Sequence, residues 1–319
     1  MSAIAATLAF LKRRNWAIVA AVPLLAAAVW MPDVMFQRNV YSYIVTFDIT
    51  QSMDVEDVGT GSTPVSRLDF ARAAMREGLE RLPCGSKIGW SIFTGQSTLL
   101  LVPPIEVCAN FDALLASLDS IGGDMRWTNW SRVAEGGVYA AVRTATSIGH
   151  DASILFFTDG QEAPPVLPGD QRVTDIPRGQ VKGWLIGVGG DQPAPIPRTD
   201  RDGKRIGYWR ADDVIQVPPQ SRAGAGVESH EELSELRERY LSSIAQQVAF
   251  DYRRLRAPQD LVAAMMDERY AHRDRVPTSL NWAPAGLALA LLVWRFLPTP
   301  ARIRSRRLQP AVHQTRLRP

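Results

Sequence analysis

The sequence predicts an α/β fold: a mostly parallel central sheet covered by helices on both faces, with one antiparallel edge hairpin. Three observations predict it. Apolar, β-branched segments alternate with amphipathic ones through the middle of the chain. Runs such as 40–47 (VYSYIVTF) and 153–158 (SILFFT) are almost continuously apolar, as suits strands buried on both faces. Loops rich in side-chain oxygens follow those strands, where such sheets place their ligands.

Taken in order, 40–47 is the first strand, and a helix follows with Leu68, Ala71, Met75, Leu79 and Leu82 on one face. Segments 87–94 and 97–102 form a hairpin turning at Gly95-Gln96, and a short helix covers 111–118. A Gly-rich loop leads into a helix over 131–146, then into strands 153–158 and 181–188. A polar insertion occupies 189–229, with an Asp202-Gly203 turn marking a small hairpin within 197–208. A helix over 231–248 carries Leu233, Leu236, Tyr240 and Ile244 at helical spacing; strand 250–255 and helix 258–271 close the domain.

The net charge of +3 conceals a division. Ten of the 36 Lys and Arg residues lie at the ends: Lys12, Arg13 and Arg14 at the front, and Arg295, Arg302, Arg304, Arg306, Arg307, Arg316 and Arg318 at the back. The other 26 face all 33 acids, so residues 31–281 carry about −7. The basic balance belongs to the ends and gives no reason to expect a nucleic-acid partner.

Two apolar stretches, 16–31 and 280–293, adjoin those ends. Each approaches the roughly 20 residues needed to cross about 30 Å of hydrocarbon, and Trp16, Trp30, Trp282 and Trp294 stand where interfacial aromatics belong. With Lys and Arg outside both, the expected plan is a cytoplasmic N-terminus (1–15), a transmembrane anchor (16–36), a periplasmic domain (38–275), a transmembrane helix (280–297) and a basic cytoplasmic tail (298–319) in a bacterial inner membrane. Two alternatives stay open: a cleaved signal peptide ending near Ala26-Ala27-Ala28, and a buried core helix in place of the second span. Cys84 and Cys108 flank the hairpin symmetrically, so its pairing brings them together, and an exported domain is free to oxidise them; two unpaired thiols are the alternative.

The chemistry lies in three loops. Asp48-Ile49-Thr50-Gln51-Ser52 follows the first strand, Thr158-Asp159-Gly160 follows strand 153–158, and Thr128 lies just before the helix at 131. Two carboxylates and three hydroxyls make a hard, oxygen-only set suited to Mg²⁺, with Ca²⁺ or Mn²⁺ as alternatives. Singly these motifs are weak, because Ser, Thr and Asp are common caps and turn formers. Together, each at the end of a suitable element, they are specific.

This pattern resembles the metal-ion-dependent adhesion site of von Willebrand factor A (VWA) domains, with Thr50 in place of a more usual Ser. The resemblance covers roughly residues 38–275 and implies a Rossmann-like domain. It implies that Asp48, Thr50, Ser52, Thr128 and Asp159 hold a divalent ion, the hydroxyls directly and the carboxylates partly through water. A protein client would supply a carboxylate to the open position. The segments FTDGQEAPP (157–165) and 184–208 are similar to accessory proteins of the methanol-oxidation cluster (the MxaL and MxaC type) and, more distantly, the plan is similar to Bat aerotolerance proteins. That likeness implies a maturation or calcium-insertion factor for a PQQ-dependent methanol dehydrogenase, working with a MoxR-type AAA+ ATPase.

Other candidates are weaker. Asp54, Glu56 and Asp57 read as a solvated acidic loop, Glu162 as a surface residue, and His150, His230, His272 and His313 lack ligand spacing. There is no Ser-His-Asp order, no Cys-His pairing and no phosphate loop, since Gly187-Val188-Gly189-Gly190 runs into a Pro-rich stretch. A binding module, not an enzyme, is the expected function; a Bat-like stress or respiratory-assembly factor and an adhesion or structural protein are the competing readings.

Overall fold

The computed structural model describes residues 2–59, 63–149, 152–165, 177–200, 204–214 and 230–297, with side chains of the first helix described from residue 16 onward. The basic tail, His150, His313, the turn at 201–203 and the insertion beyond 214 lie outside them. The chain divides into two units, Gln37–Asp274 and a smaller one comprising Met1–Phe36 with Arg275–Pro319.

In chain order the elements are α1 (Ser2–Trp30), β1 (Val34–Val40), β2 (Ser42–Asp48), β3 (Glu56–Val58), β4 (Val65–Ser66), α2 (Arg67–Arg81), β5 (Lys87–Phe93), β6 (Thr98–Glu106), α3 (Phe111–Ser120) and α4 (Ala140–Ile148). There follow β7 (Ser153–Thr158), β8 (Gly183–Gly187), β9 (Ala194–Pro195), β10 (Pro197–Thr199), β11 (Arg205–Tyr208), β12 (Leu233–Ser234), α5 (Glu238–Val248), β13 (Asp251–Arg254), α6 (Pro258–Met265), β14 (His272–Thr278) and α7 (Trp282–Phe296).

The larger unit is built on a six-stranded sheet in the order β13-β8-β7-β2-β5-β6. Every neighbouring pair is parallel except β5–β6, the antiparallel edge. Successive side chains of a strand point to opposite faces, and both faces here are covered. Tyr43, Val45, Phe47, Leu155 and Phe157 pack beneath α2, α3 and α6, with Met75, Leu79, Leu118, Leu261 and Met265. Ile44, Ile154, Phe156 and Leu185 pack beneath α4 and α5, with Val138, Val142, Ile244 and Val248. The strands read as continuous apolar runs because neither face meets water.

The edge hairpin sets Lys87 opposite Glu106, so the segments just beyond its open end converge. Val107 donates to the Ser86 carbonyl at 2.9 Å, and Cys84 and Cys108 are disulfide-bonded with Cα atoms 5.2 Å apart.

Two predicted helices begin differently. Residues Val133–Tyr139 are a π-helical turn, and the α-helix starts only at Ala140. The Thr98 hydroxyl donates to the carbonyls of Gly136 and Gly137 at 3.2 and 3.0 Å, and a side chain entering the backbone ladder widens the turn. The helix expected from 231 starts at Glu238, because residues 231–237 are held elsewhere: β12 pairs with β9, Leu236 donates to Gly190 O, and Arg237 donates to Asp159 O. The insertion's small hairpin is present as antiparallel β10 and β11.

In the smaller unit, α1 and α7 bring the rings of Trp16 and Trp294 to 6.3 Å. Among the described residues no helix is long and apolar enough to cross a membrane. The spans expected at 16–36 and 280–297 are therefore not supported. Trp282–Phe296 is 15 residues, roughly 22 Å at 1.5 Å per residue. Beyond the cluster Lys12-Arg13-Arg14, the apolar part of α1 stops at Trp30, and 34–36, expected to continue the anchor, are strand.

Candidate metal and partner-binding site

The chain leaves β2 towards β5 on one side, and β7 continues to β8 on the other, so the β2–β7 boundary is the switch point of the sheet. In-register pairing of Phe47 with Phe157 puts the two following residues, Asp48 and Thr158, side by side. The two motifs thus meet because their strands are neighbours, although 110 residues separate them.

Asp48 is fully buried. One carboxylate oxygen accepts from the Thr50 amide at 2.9 Å and the Thr50 hydroxyl at 2.7 Å; the other accepts from the Thr158 hydroxyl at 2.7 Å. None of these donors is a cation. Burial, and then the charge of Asp159, push Asp48 up to about 7 against those hydrogen bonds. The Thr50 and Ser52 hydroxyl oxygens lie 3.2 Å apart.

Asp159 is placed differently. Its Oδ1 accepts the Gln161 amide at 2.9 Å, and its Oδ2 receives Arg67 Nη1 at 2.6 Å and the Ser234 hydroxyl at 3.1 Å. Arg67, the first residue of α2, has a fully buried side chain. Its guanidinium also forks onto Asp57 (2.9 and 2.6 Å) and reaches Ser52 O, Ser234 Oγ and Ser234 O. Burial opposes its charge, but the hydrogen bonds to Asp57 and the Asp159 carboxylate outweigh that and hold it above the ordinary arginine value. The acidic loop is correspondingly solvated only at Glu56, which stays exposed. Asp57 joins Arg67, Asp54 takes a bidentate contact from Arg126 at 2.7 and 2.8 Å, and Glu56 pairs with Arg205.

Thr128 sits on the loop beside these residues. Its hydroxyl accepts the Trp130 amide at 3.1 Å, and Thr128 does not line the cleft beside Thr50 and Ser52. Its loop is nonetheless fixed nearby. Gly95, at φ +97°, lies so close to the Trp130 carbonyl that a Cβ there would stand 1.8 Å from it; only glycine permits the approach. Gln51 ties this loop to the insertion: its amide nitrogen donates to Asn129 Oδ1 at 3.1 Å, and its amide oxygen accepts Trp209 Nε1. A cleft of about 230 Å³ results, bordered by Thr50 and Ser52, by Trp130, Pro164 and Pro165, and by Ile196, Trp209 and Val214 of the insertion.

The donor set fits a hard divalent ion. A fully buried carboxylate without a cationic partner is costly, and among the described residues Asp48 has none. Counting Asp48, Asp57 and Asp159 against Arg67, three negative charges meet one positive, leaving two when all are ionised. The 3.2 Å between the Thr50 and Ser52 oxygens is close to the roughly 3 Å separating adjacent ligands of an octahedral Mg²⁺ at about 2.1 Å. Among the described residues no three His, Cys, Asp or Glu side chains cluster to hold a metal, so an ion here would draw on hydroxyl as well as carboxylate oxygens.

Glu162 is not a surface residue: it is buried, accepts the Tyr240 hydroxyl at 2.5 Å, and sits beside the Ala134 amide. Burial raises its pKa despite those bonds. The residues unmarked in the sequence are Arg67, Ser234 and Gln51. No local pattern points to the first two; Gln51 stands inside the first motif at a position that carries no metal donor.

No family model matches the chain. It is similar to a UPF0353 protein of Mycobacterium sp. (strain KMS), 27% identical over 214 residues, covering 63% of this chain and 57% of that protein. The chain thus spans a little over half the length of such curated relatives. Among solved structures, an aerotolerance-related membrane protein from Bacteroides fragilis aligns with a TM-score of 0.48 at 18% identity, covering 72% of this chain and 98% of that one. BatB from Bacteroides thetaiotaomicron aligns with a TM-score of 0.48 at 20% identity, covering 72% and 97%. The chain is therefore similar to UPF0353 proteins in sequence and has Bat proteins among its structural neighbours, and its sheet has the parallel order and antiparallel edge implied by its resemblance to VWA domains.

Proposed function

We propose that this protein is a VWA-type binding module that captures a protein partner through a divalent cation, Mg²⁺ preferred, and catalyses no reaction. The observation that carries the reading is Asp48: a buried carboxylate with no cationic partner among the described residues, beside two hydroxyl oxygens 3.2 Å apart at the edge of an open cleft. Thr50 and Ser52 would supply direct donors, Asp48 and Asp159 the balancing charge, and Thr128, from the adjoining loop, the fifth oxygen. The bound ion would supply Lewis acidity towards one carboxylate of the partner. Buried Arg67 leaves the site two negative charges instead of three, which favours an ion whose last coordination position is completed by an incoming acid.

Association with the bacterial inner membrane, with the larger unit in the periplasm, is part of this reading. What supports it is the outward apolar surface of α1 and α7, including Val19, Val29, Trp30, Leu289 and Phe296, and the flanking basic clusters. The finer proposal is a role in maturation of, or calcium insertion into, a PQQ-dependent methanol dehydrogenase with a MoxR-type AAA+ ATPase; it rests on the likeness of 157–165 and 184–208 to methanol-oxidation accessory proteins.

The test is affinity capture from membranes with wild type and with Ser52→Ala, each in Mg²⁺ and in EDTA. A periplasmic protein retained only by wild type in Mg²⁺ is expected, and an immature dehydrogenase in that fraction would support the finer role. The same proteins on all four matrices would overturn the metal-dependent reading.

A further inference from the structure

We infer that the cleft beside the metal edge is a side-chain subsite, and that it selects partners in which a bulky apolar residue adjoins the acidic one. The inference rests on the proposed metal-dependent capture and names the chemistry of what is captured. The cleft has two walls from distant parts of the chain. One is the 129–131 loop with Ala163, Pro164 and Pro165; the other is the insertion, through Ile196, Trp209 and Val214. Thr50 and Ser52 border the same cleft, so a carboxylate brought to them carries its neighbouring side chain between those walls.

Size decides the class of occupant. About 230 Å³ lies below the roughly 300–1,000 Å³ typical of cavities for drug-sized ligands and cofactors. It matches one large side chain. Apolar atoms make up most of the lining surface, although Asp213 and Glu231 border it as well, and Trp130 keeps 49% of its surface exposed, an open indole that an incoming apolar group would cover. The insertion wall is braced. Arg198 lies 4.8 Å from the centre of the Trp209 ring and pairs with Asp213 at 3.4 Å, the Trp209 amide donates to Ile196 O at 3.0 Å, and Gln51 fixes the indole nitrogen. A preformed wall loses little entropy when filled. The required continuity between carboxylate and apolar group fits an extended protein segment with the two residues adjacent.

The test uses the full chain and fluorescein-labelled octapeptides of Gly and Ser containing Asp alone, Asp-Trp, Trp-Asp or Asn-Trp, titrated by anisotropy in Mg²⁺ and in EDTA. In Mg²⁺, wild type is expected to bind one of the acid–aromatic peptides about tenfold or more tighter than the Asp-only peptide, the order expected for burying one large side chain. Trp130→Ala, a change at a half-exposed position, is expected to bring that ratio to within about twofold, and Ile196→Ser to do the same from the other wall. Metal-dependent binding of all acidic peptides with equal affinity would overturn the subsite and leave the metal reading standing. Equal binding of Asp-Trp and Asn-Trp in EDTA would keep the cleft and overturn the metal reading. No binding of any peptide would overturn both.

Discussion

Arg67 Nη1 stands 2.6 Å from Asp159 Oδ2, and both side chains are fully buried. The pair joins the start of α2 to the loop after β7, and Ser234, bonded to both residues, adds β12, which follows the insertion and pairs with β9 within it. One guanidinium therefore governs the charge of the candidate metal edge and the position of the segment that walls the cleft.

Removing Arg67 leaves Asp159 buried and uncompensated. Arg67→Met is expected to destabilise the fold by about 3–5 kcal/mol, the usual cost of breaking one side of a buried ion pair. Adding Asp159→Asn should recover part of it, because the orphaned charge disappears as well. Urea denaturation of the two single variants and the double variant measures the coupling; strictly additive losses would show that the pair is not a unit.

Asp48 is expected to behave in the opposite way. Without metal, Asp48→Asn should match or exceed wild type in stability, since it removes a buried charge that has no cation. Magnesium should stabilise wild type by about 2.7 kcal/mol at a hundredfold excess over Kd and leave Asp48→Asn unmoved. Thermal unfolding with and without Mg²⁺ reads both effects. A wild type indifferent to Mg²⁺, Ca²⁺ and Mn²⁺ alike would remove the basis for a cation here.

The Cys84–Cys108 bridge closes a separation of 24 residues. Chain entropy puts its contribution at about 3.5 kcal/mol for a loop of that size. The double variant Cys84→Ser/Cys108→Ser should fall by that order in chemical denaturation, and dithiothreitol should lower wild type equally while leaving the variant unchanged.

Glu162 is held neutral more readily in the fold than in the unfolded chain, where its ordinary value is 4.5. A raised folded pKa favours the protonated fold. Its contribution is complete below about pH 4.5 and is lost as pH rises through the higher folded value. Glu162→Gln should therefore show a flatter decline of stability between pH 4.5 and neutrality than wild type, measured as urea midpoints across that range. Parallel curves would mean that Arg132, 3.7 Å away, already compensates the carboxylate.

The order of strands and helices was legible because strand burial and helix amphipathicity are written in local periods. Misreadings arose where distant side chains intervene. Thr98 alters the helix start at Gly136, 38 residues on, and Arg67 holds Ser234 out of a helix from 167 residues away. Spacing in sequence carries neither effect. The apolar ends read as spans because composition alone does not fix the length of a helix: α7 has 15 residues, and the apolar part of α1 runs only from Trp16 to Trp30. At the candidate site, Asp48, Thr50, Ser52 and Asp159 were legible as motifs, and adjacency of β2 and β7 unites them. Thr128 was legible as well, on the loop that Gln51 and Asn129 hold beside the cleft, and Arg67 left no local trace.

Within the stretch Asp48–Ser52, side chains with different duties alternate. Thr50 and Ser52 turn their hydroxyls towards each other, while Gln51 between them clasps Asn129 and Trp209. A substitution at Gln51 can thus loosen or re-aim the clasp without removing a single oxygen from its neighbours. On the proposed reading, a change at Gln51 would alter which neighbouring side chain the cleft accepts while leaving the acid-binding oxygens in place.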